Sequence, residues 1–398
     1  MTDPGKLLTQ LIALPELEIK HIARLQTRVM FIYARSCSRE RACPKCASFS
    51  NVAHDHREVR VKDEPIKGIR VELRIRKKRY YCKSCKKPFT ELLPGIFSRA
   101  RHTDRLARHI LWLGKKFQTL KDAAQAVGLA LTTVQRIFYS MLARDKVKLI
   151  NYPWPKVIGI DETGFGKNKN GRGTQYDTVI TDMVNGRVYE LLFTKNARLL
   201  FDQLKDIPGA ENVTDVVMDM SSGFRSLARA LFPNARITSD KFHVLRLMLP
   251  AINKQRNAIY GRRYSHPSGS LLLRSRQRLS FYEKSQIEKY ISPHEVLSKL
   301  YWAKEKLHEF YRVRGYERAH SAFDRLIADL EKDSSLIELR RLRKTLLLWK
   351  DEVLNYFKTG LTNAMAEGFN NKINTLKTNA YGYRNKNNFR LRVLSACF

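Results

Sequence analysis

Val157-Ile158-Gly159-Ile160-Asp161 and Asp215-Val216-Val217-Met218-Asp219 are the two stretches that decide the fold. Each is a short unbroken apolar run that stops at an aspartate. Such runs suit strands covered on both faces, as in a parallel sheet. Between them, 176–181 and 187–193 read as strands separated by Asn185-Gly186, a hairpin turn pair, and 197–204 reads as a helix. After Asp219 come a helix at 224–231 and a strand at 235–239. The predicted order is β-β-β-α-β-α-β: three antiparallel strands, then parallel ones. Two acids at neighbouring strand ends repel each other unless a cation sits between them. A divalent metal is the natural occupant, although an aspartate after a strand is also a common turn residue.

A third acid strengthens the pattern. In Asn363-Ala364-Met365-Ala366-Glu367-Gly368-Phe369-Asn370-Asn371-Lys372-Ile373-Asn374, helical spacing puts Met365, Phe369, Ile373 and Leu376 on one apolar face. Asn363, Glu367, Asn370, Asn371 and Asn374 share the other, with Asn363 placed to cap the helix. One acid among amides suits a metal and phosphate site. A plain amphipathic helix is the alternative.

The chain has 398 residues, enough for two or three domains. With 43% hydrophobic residues it folds, and 74 Lys and Arg against 38 Asp and Glu leave a net charge of +36. That excess calls for an anionic partner, of which nucleic acid is the usual one. No apolar run reaches the ~18 residues of a membrane span, and residues 1–15 lack a signal-peptide layout. A cytoplasmic, nucleoid-associated protein without membrane contact is expected.

Six cysteines are present: Cys37, Cys43, Cys46, Cys82, Cys85 and Cys397. Cys43-Pro44-Lys45-Cys46 and Cys82-Lys83-Ser84-Cys85 form two C-x-x-C knuckles, which supply the four soft ligands of a closed, structural Zn²⁺ site. The segment between them alternates with period two. Val59 and Val61, then Ile69, Val71, Leu73 and Ile75, face one way, while Arg70, Arg74 and Arg76 face the other. A β-hairpin with its turn within 63–68 would bring the knuckles together. Residues 1–36 read as a helical segment, from patches such as Leu11, Ile12 and Leu14.

Residues 103–148 read as helices. Residues 120–129 form a short amphipathic helix stopping at Gly128, and Thr132-Thr133-Val134-Gln135-Arg136-Ile137-Phe138 opens a second. Small Ala123 and Ala124 allow close approach, and Gly128 supplies a left-handed turn position. As a helix-turn-helix, the pair would turn Thr132, Thr133, Gln135 and Arg136 toward the DNA major groove and Val134 and Ile137 inward.

Several motifs together resemble the bacterial insertion-sequence transposases of the ISL-three family. They are the two knuckles with Arg79-Tyr80-Tyr81 before Cys82; Phe89-Thr90-Glu91; Gly159-Ile160-Asp161-Glu162; Val217-Met218-Asp219-Met220-Ser221; Ser239-Asp240-Lys241-Phe242-His243-Val244; Thr362-Asn363 through Glu367 to Asn371-Lys372; and Ala380-Tyr381-Gly382-Tyr383-Arg384-Asn385. One departure is Ala47, where the family often has glycine.

The resemblance implies an α+β multidomain chain: a zinc-ribbon-like domain at 37–95, a helix-turn-helix domain at 96–150, and a ribonuclease-H-like catalytic domain at 151–243 and 359–398 interrupted by a helical insertion at 244–358. It implies a DDE enzyme in which Asp161, Asp219 and Glu367 hold two Mg²⁺ (or Mn²⁺) ions, with Asp240, His243, Asn363 and Asn371 in support. Its partners would be double-stranded DNA, as transposon ends and as target, and a second copy of the chain. Glu162 and Asp182 read as structural. An inactive transposase-derived regulator and a nuclease that cuts without joining are the rival functions.

Overall fold

The structure, a computed structural model, describes residues 9, 12, 14, 16–25, 28–96, 100–116, 119–147, 152–167, 174–261, 269–380 and 382–397. Contacts divide the chain into two units: Met1–Ile150 with Lys377–Leu391, and Asn151–Leu376 with Arg392–Phe398.

The first unit contains β1 (Leu17–Leu25), β2 (Val29–Ser36), β3 (Arg41–Ala42), β4 (Phe49–Ser50), β5 (Ala53–Ile66), β6 (Ile69–Cys82) and β7 (Lys87–Thr90). The main sheet runs β1-β2-β6-β5, with β7 also on β6. The expected hairpin is β5–β6. Its turn is only Lys67-Gly68, both at positive φ, because β5 continues to Ile66. Val61, Val71, Leu73 and Ile75 are buried on one face.

The helical reading of 1–36 needs correction over 17–25 and 29–36, which form the antiparallel pair β1–β2. Ile32, Ala34 and Ser36 are buried at every second position, and β-branched and aromatic residues crowd the stretch. Ile12 joins the same core as a helical residue. Of that reading, positions 1–8, 10, 11, 13, 15, 26 and 27 lie outside the described residues. Helices α1 (Asp104–Lys116), α2 (Leu120–Val127) and α3 (Leu131–Val147) follow.

The second unit begins with β8 (Val157–Lys167), β9 (Thr174–Asp182), β10 (Arg187–Leu192), α4 (Ala197–Leu204), β11 (Asp215–Met218), α5 (Ser222–Leu231) and β12 (Arg236–Ser239). The strand order is β10-β9-β8-β11-β12. β8, β9 and β10 pair antiparallel, whereas β11 runs parallel to both β8 and β12. Val216, Val217 and Met218 are fully buried between covering layers. Asp161 does not terminate its strand. Parallel pairing with β11 stops at Ile160, but β8 continues against β9 with Asp161 opposite Val179.

An all-helical stretch follows: α6 (Lys241–Arg246), α7 (Leu249–Tyr260), α8 (Gly269–Leu273), α9 (Phe281–Ile291), α10 (Glu295–Phe310), α11 (Tyr316–Lys332), α12 (Ile337–Leu348) and α13 (Lys350–Thr359). Its large apolar side chains join the core of the sheet in one continuous cluster. Tyr301 and Trp349 belong to that core, while Trp302 is partly exposed under Arg276. The chain ends with α14 (Ala364–Asn379) and α15 (Lys386–Ala396). Among the described residues no single helix is long and apolar enough to cross a membrane.

Candidate active site and metal centre

The parallel register brings the acids together. Ile160 pairs with Met218, and Met218 pairs with Ser239. One step further, Asp161, Asp219 and Asp240 stand side by side at the same end of three adjacent parallel strands, the edge where α/β sheets commonly place their sites. Burial, followed by the charge of Asp219, raises the Asp161 carboxyl to about 7. A cation placed beside these acids would favour the charged form of Asp161 again.

His243 lies on α6 immediately after Asp240. Its Nδ1 is 2.8 Å from Asp219 Oδ1 and 3.1 Å from Asp240 Oδ2. Hydrogen bonding to Asp219, then to Asp240, raises the imidazole to about 10, so it is a cation at neutral pH. Ligand atoms of Asp219, Asp240 and His243 all lie within 4.8 Å of one another. One turn beyond His243, Arg246 Nη2 is 3.4 Å from Glu367 Oε1. Thus α6 offers one cation to Asp219 and another to Glu367.

The helix bearing Glu367 is held by its amides. Asn363 donates from its backbone to Asp240 Oδ1 (3.1 Å) and from Nδ2 to Ile160 O (3.3 Å). Two turns later Asn370 Nδ2 donates to Asp161 Oδ2 (2.9 Å) and to Glu162 O (3.3 Å). Asn363, Glu367 and Asn370 follow an i, i+4, i+7 spacing, so Glu367 shares the face that docks on β8. Its side chain is more than half exposed and meets Arg246 rather than the two aspartates. The buried side of α14 holds Ala366 and Ile373, and Met365, expected on the apolar face, is exposed. A small residue at 366 lets the polar face approach the sheet.

Gly159 makes that approach possible. A Cβ there would lie 2.3 Å from Thr181 Oγ1 and 2.8 Å from Asn363 Oδ1. Asn363 Oδ1 and Asn370 Oδ1 are buried without a hydrogen-bond partner. Spare acceptor oxygens beside a carboxyl whose charge is disfavoured by burial and by Asp219 fit a divalent cation.

Of the remaining expected residues, Asn371 is exposed and its carbonyl accepts the Thr375 hydroxyl. Asp182 is fully buried and receives Val184 N, Asn185 N, Asn185 Nδ2 and Arg187 Nε, which builds the β9–β10 turn. The Glu162 carboxylate lies 3.9 Å from the Lys195 ammonium. Asn370, the direct partner of Asp161, was not singled out from sequence. Its signal was the seven-residue spacing from Asn363.

In the first unit, the Sγ atoms of Cys43, Cys46, Cys82 and Cys85 all lie within 4.8 Å of one another. Hydrogen bonds from Ser48 hold the Cys46 thiol down to about 6, whereas the neighbouring Cys46 pushes Cys85 up to about 12. Four thiols this close cannot all ionise without a cation, and four thiolates form the closed tetrahedral set of a structural zinc. Each knuckle ends in a left-handed residue, Ala47 (φ +61°) and Lys86 (φ +54°). That conformation accounts for glycine being suited to position 47.

Helices α2 and α3 meet at 109°. Thr119 caps α2 by accepting Asp122 N, and Gly128 closes it at φ +64°. Arg70 of β6 lies against Gly128, its Nε 1.7 Å from where a Cβ would stand. Val134 and Ile137 are buried; Thr132, Gln135 and Arg136 are exposed, and Thr133 is half-buried.

Comparison with known proteins gives three matches. The ISL3 family described as "Transposase" matches residues 158–393. The "zinc-finger of transposase IS204/IS1001/IS1096/IS1165" matches residues 39–85. A curated relative, "Transposase for insertion sequence element IS1001" from Bordetella parapertussis, is 26% identical over 384 residues, which is 93% of this chain and 92% of its own length. With its carboxylate-lined sheet edge and its four-cysteine centre, the chain belongs to the ISL3 family of transposases.

Proposed function

We propose that the chain binds the ends of its insertion sequence and catalyses metal-dependent DNA cleavage and strand transfer, on a ribonuclease-H-like domain. The observation that carries this reading is the juxtaposition of Asp161 and Asp219 on neighbouring parallel strands, with the Glu367 helix fastened to Asp161 through Asn370. Asp161, Asp219 and Glu367 would hold two Mg²⁺ or Mn²⁺ ions, which supply charge neutralisation at the scissile phosphate and an activated oxygen nucleophile. Asn370 orients Asp161. Asp240 and Asn363 set the start of the Glu367 helix. His243 and Arg246 neutralise Asp219 and Glu367 until they are needed.

The α2–α3 pair would act as a helix-turn-helix that reads the ends, with Thr132, Thr133, Gln135 and Arg136 at the groove. The net charge of +36 supports sequence-independent affinity for double-stranded DNA, both ends and target, with two copies of the chain acting together at the nucleoid. The test is alanine substitution of Asp161, Asp219 and Glu367 one at a time. Each variant should keep its affinity for end DNA and lose cleavage and strand transfer in Mg²⁺ or Mn²⁺. Near-normal strand transfer by Asp219→Ala would refute the assignment. Cutting without joining by the wild type would leave a nuclease.

A further inference from the structure

Phe281 and Tyr282 form the first turn of α9 and are 88% and 70% exposed. Burying an aromatic ring is strongly favourable, so two adjacent rings left in water need an explanation. They are also held rigidly. Ser280 and Glu283 make a reciprocal capping box, and Leu279 and Ile287 anchor the turn beneath. Five cations, from Arg274 to Lys289, flank the two rings along the chain, against the two acids Glu283 and Glu288. Arg276 pairs with Glu288 and lies over Trp302 (5.2 Å), and Arg274 is 3.7 Å from Glu283. Arg278 and Lys284 have no acidic partner within ion-pair distance among the described residues.

Aromatic faces interleaved with unpaired cations are the composition of a single-strand binding step, where rings stack on bases and cations follow the phosphates. A duplex offers such rings only groove edges, because its base faces are already stacked. A second protein is the poorer fit, since two rings amid charge fall far below the ~1,600 Å² of a stable interface. Resting on the reading that this chain acts on DNA, we propose that Phe281 and Tyr282 receive an unpaired base of a DNA strand, with Arg278 and Lys284 on the adjoining phosphates.

The test uses the full chain, a short single-stranded oligonucleotide carrying 2-aminopurine, and the matching duplex. The wild type should bind the single strand with quenched 2-aminopurine fluorescence. The Phe281→Ala/Tyr282→Ala protein should lose about 5- to 100-fold in single-strand affinity together with the quenching, and keep its duplex affinity. Phe281→Trp/Tyr282→Phe should retain both, which separates stacking from a folding defect. Wild-type binding to duplex but not to single strand, or single-strand binding indifferent to the alanines, overturns this inference alone. Failure of the wild type to bind either DNA overturns the proposed function as well. A dimer-to-monomer change in the alanine variant would assign the patch to a second copy and also overturn the inference.

Discussion

The Asp240 carboxylate accepts the backbone N–H of Asn363 at 3.1 Å, across 123 residues of chain. Both groups are buried, and the other Asp240 oxygen faces His243. One side chain therefore joins strand β12, helix α6 and the start of the Glu367 helix. Removing it leaves a buried N–H without an acceptor, at a cost of about 1–3 kcal/mol. Asp240→Ala should lower the urea midpoint accordingly and reduce cleavage through misplacement of Glu367. Asp240→Asn, which keeps an acceptor oxygen, should recover most of the stability. An unchanged midpoint in Asp240→Ala would refute the brace.

Gly159→Ala tests the close approach of α14 to the sheet. The added methyl would meet Thr181 Oγ1 and Asn363 Oδ1 inside contact distance. The expected result is at least a tenfold loss of cleavage, equivalent to about 1.4 kcal/mol, with end binding preserved. A fully active Gly159→Ala enzyme would mean that Asn363 can move without consequence.

The acid cluster has a pH signature. The folded-state carboxyl of Asp161 is raised to about 7 from 3.8. Between those values the folded metal-free protein holds a proton that the unfolded chain has released. Its contribution to stability therefore falls as pH rises from about 4 to about 7, then levels off. His243, raised to about 10 from 6.5 by Asp219 and Asp240, has the same sign in a higher window: its contribution is full below 6.5 and is lost as pH approaches 10. Divalent metal would compete with the proton on Asp161, so titration with Mn²⁺ below pH 7 should release protons, and binding should be weaker at pH 6 than at pH 8. Proton-free binding, with equal affinity at both values, would contradict the shared site.

Metal analysis of the purified protein should find about one zinc per chain. Cys43→Ser with Cys82→Ser should abolish it and unfold the first unit before the second. At position 47 the left-handed backbone disfavours alanine by roughly 1 kcal/mol relative to glycine. Ala47→Gly should therefore leave Tm unchanged or slightly raised, whereas β-branched Ala47→Val should lower it. Equal Tm for the two variants would remove the strain argument.

Arg136→Ala addresses end recognition. The residue is exposed on α3, on the side away from Val134 and Ile137. A base contact confers selectivity and a phosphate contact only position. Competition between end DNA and random duplex should show lost discrimination with general affinity largely kept. Retained discrimination would move the reading surface elsewhere.

The two strand aspartates were legible because an apolar run halting at an acid is a strong local pattern. The knuckles were legible because their spacing is local too. Glu367 could be named, but its docking could not, since its partners on β8 and β12 are far away in sequence. Choosing between Asn370 and Asn371 rested on the seven-residue spacing from Asn363 alone: adjacent helical residues differ by about 100° of rotation, and the packed sheet decides which one turns inward. The segments 17–25 and 29–36 misled because short apolar clusters suit either period until a neighbouring strand is known. Phe281 and Tyr282 carry no periodic signal at all. Their exposure is a property of the fold.

The Arg70 guanidinium occupies the space above Gly128, and Arg70 belongs to the strand that ends in Cys82. The turn between α2 and α3 is thus indexed to the strand that the zinc knuckle terminates. If the α2–α3 pair reads DNA ends as proposed, metal occupancy and end affinity become linked quantities: whatever free energy zinc contributes to the set of that turn, bound DNA returns to the zinc. On the proposed function, removing zinc would then weaken the selectivity of end binding before it touched the carboxylate site.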